Sequence, residues 1–426
     1  KQTAEGTQVF SDGREMMFLQ AVSMVCKRSW RKMVCMGVED KKIVIFSHYA
    51  TTGACEELRD WLLGLKVREL VYVAFPFGSN RDRFIRVERF RKGERVKVIE
   101  SLFRLKLPEP FAYAKDLFYA LLYSVRFARD ADVLVAGDNL LAWAGVLTRR
   151  LTKVRRVAYY MIDYTPVRYA NRMLNALYYG VDRLAAYHAD VVWPLTARII
   201  CGRFEAGRLD ERRVRWYAVP YGSHPLAAPA TAACDRKRVV YMGDIVRNKG
   251  AELFVPMARE LKRLIPDFRF TVIGGGKDLP ALLEEVGKAG LGGHFEICGF
   301  IDSIEDVVGQ LAGAGVAIAP YYPHDSNSFT FFSDPGKIKV YLGCGLPIVV
   351  TDVPPIAKDI EKEGAGKIAR YDAAEFASAV ASILGGDDYS QIRENARRLG
   401  ERYAWHKVFS EAFDRLDVAE NKGINS

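Results

Sequence analysis

Apolar residues along the chain fall into short unbroken runs, separated by longer stretches in which they recur three and four positions apart. The first run, Ile43-Val44-Ile45-Phe46, has no polar face, which marks a strand covered on both sides rather than a half-exposed hairpin strand. Val71 to Phe75, Val133 to Ala136, Val157 to Ile162, Val191 to Leu195 and Val214 to Val219 repeat the pattern. Between them, Glu56 to Leu65, the set Phe111, Ala114, Phe118, Leu121, Leu122 and Val125, then Leu141 to Leu151 and Asn171 to His188, have helical spacing. A second series follows, with strands predicted at Val239 to Met242, Phe270 to Ile273, Phe295 to Cys298, Val316 to Ala319 and Ile348 to Val350. Its helices are predicted at Gly250 to Leu264, Leu279 to Ala289, Ile304 to Ala312 and Lys337 to Gly343. Buried strands alternating with helices predict an α/β protein of parallel, doubly wound sheets, whose ligands sit outside the carboxyl ends of the strands. The small-residue segment Leu226 to Cys234 reads as a linker. The expected organisation is an extension over 1–40, two Rossmann-like domains over 41–224 and 236–400 facing a cleft, and a helix over 401–420.

Composition narrows the class. With 50% hydrophobic and 27% charged residues over 426 positions, the chain is in the globular range. No apolar run reaches the roughly 20 residues that span a bilayer. Seven cysteines without a Cys-x-x-Cys pair, and six scattered histidines, offer neither a disulfide framework nor metal-ligand spacing, so no metal is expected and a cytoplasmic setting is. The net charge of +10 is unevenly placed: residues 1–235 hold 38 basic and 25 acidic side chains. Within that half, Arg81 to Lys106 carries ten basic and four acidic residues, and Arg149, Arg150, Lys153, Arg155 and Arg156 form a second cluster. A basic first half predicts an anionic partner; without a nucleic-acid recognition motif, an anionic membrane surface is preferred over nucleic acid.

Chemistry is expected at three turns of the second half. Gly243 to Gly250 links a strand to a helix and contains Arg247 and Lys249; glycines there let a backbone approach a phosphate, which the basic side chains neutralise. Gly274 and Gly275 open the next such turn. Tyr322, Ser326 and Asn327 sit in a polar, aromatic loop suited to hydrogen-bonding hydroxyls. Beyond it, Asp334 is expected to cap the following helix. Lys337, in that helix's first turn, is on the unfavourable side of the helix dipole unless an anion lies nearby.

Over residues 220 to 416 the chain resembles the retaining family 4 group of nucleotide-sugar-dependent glycosyltransferases of GT-B fold. The likeness rests on the turn ending Lys249-Gly250, on Val272-Ile273-Gly274-Gly275-Gly276, on Gly299-Phe300-Ile301 and on Ala319-Pro320. It rests also on Pro335-x-Lys337-Ile338-x-x-Tyr341-Leu342-x-x-Gly345-x-Pro347-Ile348-Val349, on the joint Val219-Pro220-Tyr221-Gly222, and on Trp405 opening a terminal helix that crosses back to the first domain. The resemblance implies a nucleoside diphosphate sugar as co-substrate in the second domain and an acceptor on the first, without a metal. It also implies transfer of a hexose-type sugar, with retention, to a lipid-linked or polysaccharide hydroxyl at the inner face of the membrane. Lys249 matches the family's lysine, while Asp244 stands at its arginine, for which Arg247 could substitute. The family's two glutamates fall on Phe332 and Val340, leaving Asp334 as the nearest acid for gripping sugar hydroxyls. On the first domain, Asp163 at a strand's carboxyl end is expected to orient or deprotonate the acceptor hydroxyl, with Asp138 and His48 as further acceptor-side candidates. Two other readings are open at this point: a silent GT-B partner subunit, and a sugar-nucleotide epimerase.

Overall fold

A computed structural model describes residues 37–48, 53–76, 84–102, 109–226, 234–301, 304–323 and 329–422. The extension before residue 37, the segment 227–233 and the loop residues Ser326 and Asn327 lie outside the described residues.

The first domain is built on the seven-stranded sheet β4-β3-β2-β1-β5-β6-β7. Its parallel strands are β1 (Lys42–His48), β2 (Glu69–Phe75), β5 (Val133–Ala136), β6 (Arg156–Met161) and β7 (Val191–Pro194). The unbroken apolar runs are buried on both faces, as their lack of a polar side requires. Helices α1 (Ala54–Leu65), α2 (Glu109–Phe127), α3 (Asn139–Thr152), α4 (Arg172–His188) and α5 (Ala197–Glu205) connect them. Thr196 caps α5 by accepting from the Ile199 N–H, and Asp138 caps α3 by accepting from Leu141.

The structure adds two features to the sequence reading here and corrects one expected strand. The basic stretch after β2 is an antiparallel hairpin, β3 (Phe84–Arg91) and β4 (Glu94–Leu102), which extends the parallel sheet at one edge. Opposite charges knit it to its neighbours: Arg86 pairs with Glu88 within β3 at 3.0 Å and with Glu100 of β4 at 3.7 Å, and Arg89 reaches Glu69 of β2 at 2.8 Å. Val214 to Val219 forms no strand; one bridge, Val192 to Trp216, remains of it. The stripe Phe111, Phe118, Leu122 and Val125 on α2 is helical as expected but faces solvent, and Ala120, Tyr123, Ser124 and Phe127 pack inward instead.

The second domain carries the six-stranded parallel sheet β10-β9-β8-β11-β12-β13. Its strands are β8 (Asp235–Met242), β9 (Arg269–Ile273), β10 (Phe295–Gly299), β11 (Ala314–Ala319), β12 (Ile348–Val350) and β13 (Gly366–Ile368). Around it lie α6 (Phe254–Leu264), α7 (Leu279–Lys288), α8 (Ile304–Ala312), α9 (Phe329–Phe332), α10 (Gly336–Gly343), α11 (Ile356–Lys362), α12 (Ala373–Gly385) and α13 (Tyr389–Arg402). Two short 3-10 turns over 247–253 precede α6, so that helix starts later than its periodicity predicts.

The last helix, α14 (Trp405–Lys422), crosses back and packs on α1. Trp405 stacks on Phe409 at 5.0 Å, and Phe409 and Phe413 flank Trp61 of α1 at 5.6 Å each. Gly222 must be glycine, because a Cβ there would lie 2.3 Å from the Trp405 ring. A second clasp runs the other way. Phe332 of α9 is buried in the first domain's core, 4.7 Å from Tyr164, and its carbonyl accepts from the Thr196 hydroxyl at 3.0 Å.

Candidate active site

The turns after β8 and β9 are pressed into one surface. Gly243 and Gly274 have φ of 131° and 136°, which side-chain-bearing residues rarely adopt. A Cβ on Gly274 would lie 2.1 Å from the Gly243 carbonyl oxygen. The Gly243 N–H donates to the Ile273 carbonyl at 2.9 Å and the Ile245 N–H to Gly275 at 2.8 Å, stitching the two turns together.

Helix α10 delivers Lys337 to this surface. The hydroxyl of Tyr341 accepts from the Met242 N–H at 2.7 Å, pinning α10 to the end of β8. Lys337 Nζ lies 4.1 Å from the centroid of the Tyr241 ring and 5.1 Å from that of Tyr321. The atom is sealed from solvent and has no hydrogen-bond partner. Burial first, then the charge of Lys249, lowers its pKa to about 7, against an opposing pull from Asp244. A buried ammonium with unfilled donors is costly. An anion at the glycine turns relieves that cost, and the glycines leave the backbone room to meet it.

Lys249 pairs with Asp244, the residue standing where the resemblance places an arginine. Arg247 is different. Its side chain is 80% exposed and bonded to Glu252 at 2.8 Å, while the Tyr371 hydroxyl holds Glu252 at 3.0 Å and the Tyr371 ring meets Tyr322 edge-on at 5.3 Å. Lys249 and Lys337 are therefore brought together over the turns, and Arg247 sits on a rim with Tyr322 and Tyr371. Asp334 does not cap α10; Pro335 holds that position. Its buried carboxylate instead accepts from the Tyr221 N–H at 2.8 Å and pairs with buried Lys339 at 3.3 Å, so it locks the interdomain joint rather than facing a sugar. Burial raises the Asp334 pKa, with Lys339 and the Tyr221 N–H opposing.

Across the cleft, the ends of neighbouring strands β1, β5 and β6 bring His48, Asp138 and Asp163 to one edge of the sheet. One oxygen of Asp138 caps α3 and the other pairs with His48 Nε2. Desolvation works against protonating His48, but Asp138, aided by Asp163 and opposed by Arg168, outweighs it and raises the pKa. Asp163 bonds to Arg168 at 2.5 Å. Sequence reasoning missed Asp116, on the inner face of α2. Burial raises its pKa to about 6, with Asp138 adding to the shift and Lys115 and His48 opposing it. The available signal was an aspartate one helical turn from Ala120 and two from Tyr123, on the face that packs. A cavity of about 360 Å³ behind the joint, lined in part by Tyr217, Asp359 and Tyr403, contains none of the expected site residues.

Residues 236–385 match the family model described as glycosyl transferases group 1. Over that segment the chain is similar to the group 1 glycosyltransferases. The matched segment contains both glycine turns, Lys249 and Lys337. One curated relative, 2-deoxystreptamine N-acetyl-D-glucosaminyltransferase of Niallia circulans, is 36% identical over 84 residues, 18% of this chain and 22% of that protein. Another, alpha-D-kanosaminyltransferase of Streptomyces kanamyceticus, is 29% identical over 170 residues, 39% of this chain and 41% of that one. The matches thus span less than half the length of either relative. Among solved structures, Anabaena HepE in complex with UDP aligns with a TM-score of 0.63 at 14% identity, covering 88% of this chain and 100% of that one. Sucrose-phosphate synthase from Thermosynechococcus elongatus aligns with a TM-score of 0.62 at 16% identity, covering 89% and 100%. These two likenesses establish the fold, with both domains and the returning helix.

Proposed function

We propose that this protein is a glycosyltransferase that moves a hexose-type sugar from a nucleoside diphosphate sugar to an acceptor hydroxyl. The observation that carries the reading is the sealed, unpartnered ammonium of Lys337, placed with Lys249 against paired glycine turns inside the matched segment. A departing nucleoside diphosphate develops negative charge on its oxygens, and preorganised cations in a water-poor site stabilise it. In this reading Lys249 exchanges Asp244 for the diphosphate, and protein cations take the place of a divalent metal. The rim of Tyr322, Tyr371 and Arg247 is a place for the nucleoside or sugar, and His48, Asp138 and Asp163 line the acceptor side. Retention is supported by the likeness of Pro335 to Val349 to the retaining group. A lipid-linked or polysaccharide acceptor, met by a protein docked at the cytoplasmic face of a membrane, accords with the basic first half of the chain.

The Asp244–Lys249 pair also favours a second reading, in which the site is shut and the chain is a silent partner subunit. Release of nucleoside diphosphate, measured over a panel of sugar nucleotides with and without acceptors, decides between them. Turnover with one donor supports transfer; neither binding nor turnover with any donor supports the silent subunit.

A further inference from the structure

Helices α2, α3 and α4 pack side by side on one face of the first sheet, and their outer surface is unusually apolar. On α2, Phe111 and Phe118 are 65% and 62% exposed and Leu122 and Val125 lie on the same stripe; Leu151 of α3 is 72% exposed and Met173 of α4 is 84% exposed. Leu147, Leu177 and Leu184 extend the surface across the layer. Single exposed apolar residues need no explanation, but a contiguous field across three helices marks an interaction surface. Its charge pattern identifies the partner. Among the described residues of these helices, the exposed ionised side chains are Arg126, Arg150, Arg172 and Arg183, and no exposed Asp or Glu accompanies them. The described acids of these helices are turned inward: Asp182 is buried against Arg203, and Asp116 faces His48 and Asp138.

We infer that the outer face of α2, α3 and α4 docks on an anionic lipid bilayer, with the aromatic and aliphatic side chains entering the headgroup boundary and the arginines meeting lipid phosphates. Apolar side chains interspersed with basic ones, without acids, are what an interfacial helix presents to such a surface. Arginine suits the position because its stem lies along apolar surface while its planar head pairs bidentately with phosphate. The amino-terminal ends of α3 and α4, at Asp138 and Arg172, lie at the carboxyl edge of the sheet. A protein seated on this face therefore has the acceptor side of its cleft beside the membrane. The inference deepens the proposed function by naming the surface through which a membrane acceptor is reached, and its test requires neither donor nor acceptor.

The full chain is mixed with vesicles of phosphatidylglycerol and phosphatidylcholine in equal parts, or of phosphatidylcholine alone, and floated on a density gradient at low salt. Flotation with the anionic vesicles, weakened by added salt, is expected. Replacing Phe118 and Leu122 by serine, or Arg150 and Arg172 by glutamate, should each lower the bound fraction roughly tenfold or more at unchanged melting temperature. Leu151→Ser with Met173→Ser, on the other two helices, serves if the α2 double variant melts early. Absence of wild-type flotation overturns the inference, as does flotation that the variants retain. A dimer in solution that the serine variant dissociates, without vesicle binding, assigns the face to a second copy and equally overturns it. Transfer to a water-soluble acceptor, assayed in parallel, reports separately on the proposed activity.

Discussion

Replacing Lys337 by methionine separates what the buried cation costs the empty protein from what it gives the occupied one. A fall in pKa from 10.5 to about 7 corresponds to on the order of 5 kcal/mol, at about 1.4 kcal/mol per tenfold step. The sign follows from proton counting. Below about pH 7 the lysine is charged in both the native and unfolded chains, so the native state carries the full penalty. Between 7 and 10.5 the unfolded chain holds a proton that the native one has released, so stability rises with pH and the penalty is gone above that range. Methionine keeps the contacts with Tyr241 and Tyr321 and removes the charge. Lys337→Met should therefore raise the melting temperature by several degrees near pH 6, with the gain shrinking toward pH 10. The same variant loses a charge-assisted bond to the diphosphate worth about 1.5–3 kcal/mol, so the Kd for a nucleoside diphosphate should rise about tenfold to a hundredfold. The wild type should also bind more weakly as pH rises through the Lys337 pKa. Calorimetric melting across this pH range and titration calorimetry with a nucleoside diphosphate measure both halves. Melting temperatures that match the wild type at every pH, or an unchanged Kd, would refute the placement of Lys337 as the buried phosphate cation.

Other substitutions and conditions test the remaining parts of the site. Phe332→Ala empties the clasp beside Tyr164 and should cost about 3–5 kcal/mol by denaturant titration, with the interdomain joint becoming easier to proteolyse. Gly274→Ala forces a Cβ onto the Gly243 carbonyl, so nucleotide affinity in titration calorimetry should be lost even where the chain remains folded. The raised pKa of His48 means that its pairing with Asp138 stabilises the native state fully below the unfolded value near 6.5 and is lost as pH rises through the folded value. Asp138→Asn should shift the NMR titration of the His48 ring to lower pH. Asp163→Asn should slow turnover without changing donor affinity, and full turnover would remove Asp163 from the acceptor site. Chelation by EDTA should leave transfer unchanged, and recovery of a lost rate by added magnesium would contradict a purely protein-borne set of cations.

Much of the fold was legible because parallel strands covered on both faces leave an unambiguous mark. Ile43 to Phe46 and Val133 to Ala136 could hardly be anything else, and the glycine turns announced the ends of β8 and β9. Hairpin β3–β4 was hidden because its arginines and glutamates alternate as a paired ladder does, whereas a one-dimensional count registers only surplus charge. The α2 stripe shows the opposite limit. Periodicity reveals that a helix has an apolar side but not whether that side meets protein, and the inward face here includes Ser124 and Asp116. The phosphate turns could be read from glycine and lysine spacing. Asp334 could not, because its partners, Tyr221 and Lys339, depend on how the two domains meet. The pairing of His48 with Asp138 joins positions that only the sheet order makes neighbours.

The return of α14 to the first domain has a consequence for biosynthesis. The groove over α1 that Trp405, Phe409 and Phe413 fill is formed by residues made early, while its occupants are made more than three hundred positions later. At roughly 5–20 residues per second, the interval between the joint and the last helix is on the order of 10 to 40 seconds. During that interval the nascent first domain shows Trp61 and its surroundings to the cell uncovered. A chain cut short before α14 would thus be recognised by chaperones and proteases through its first domain, far in sequence from the missing part.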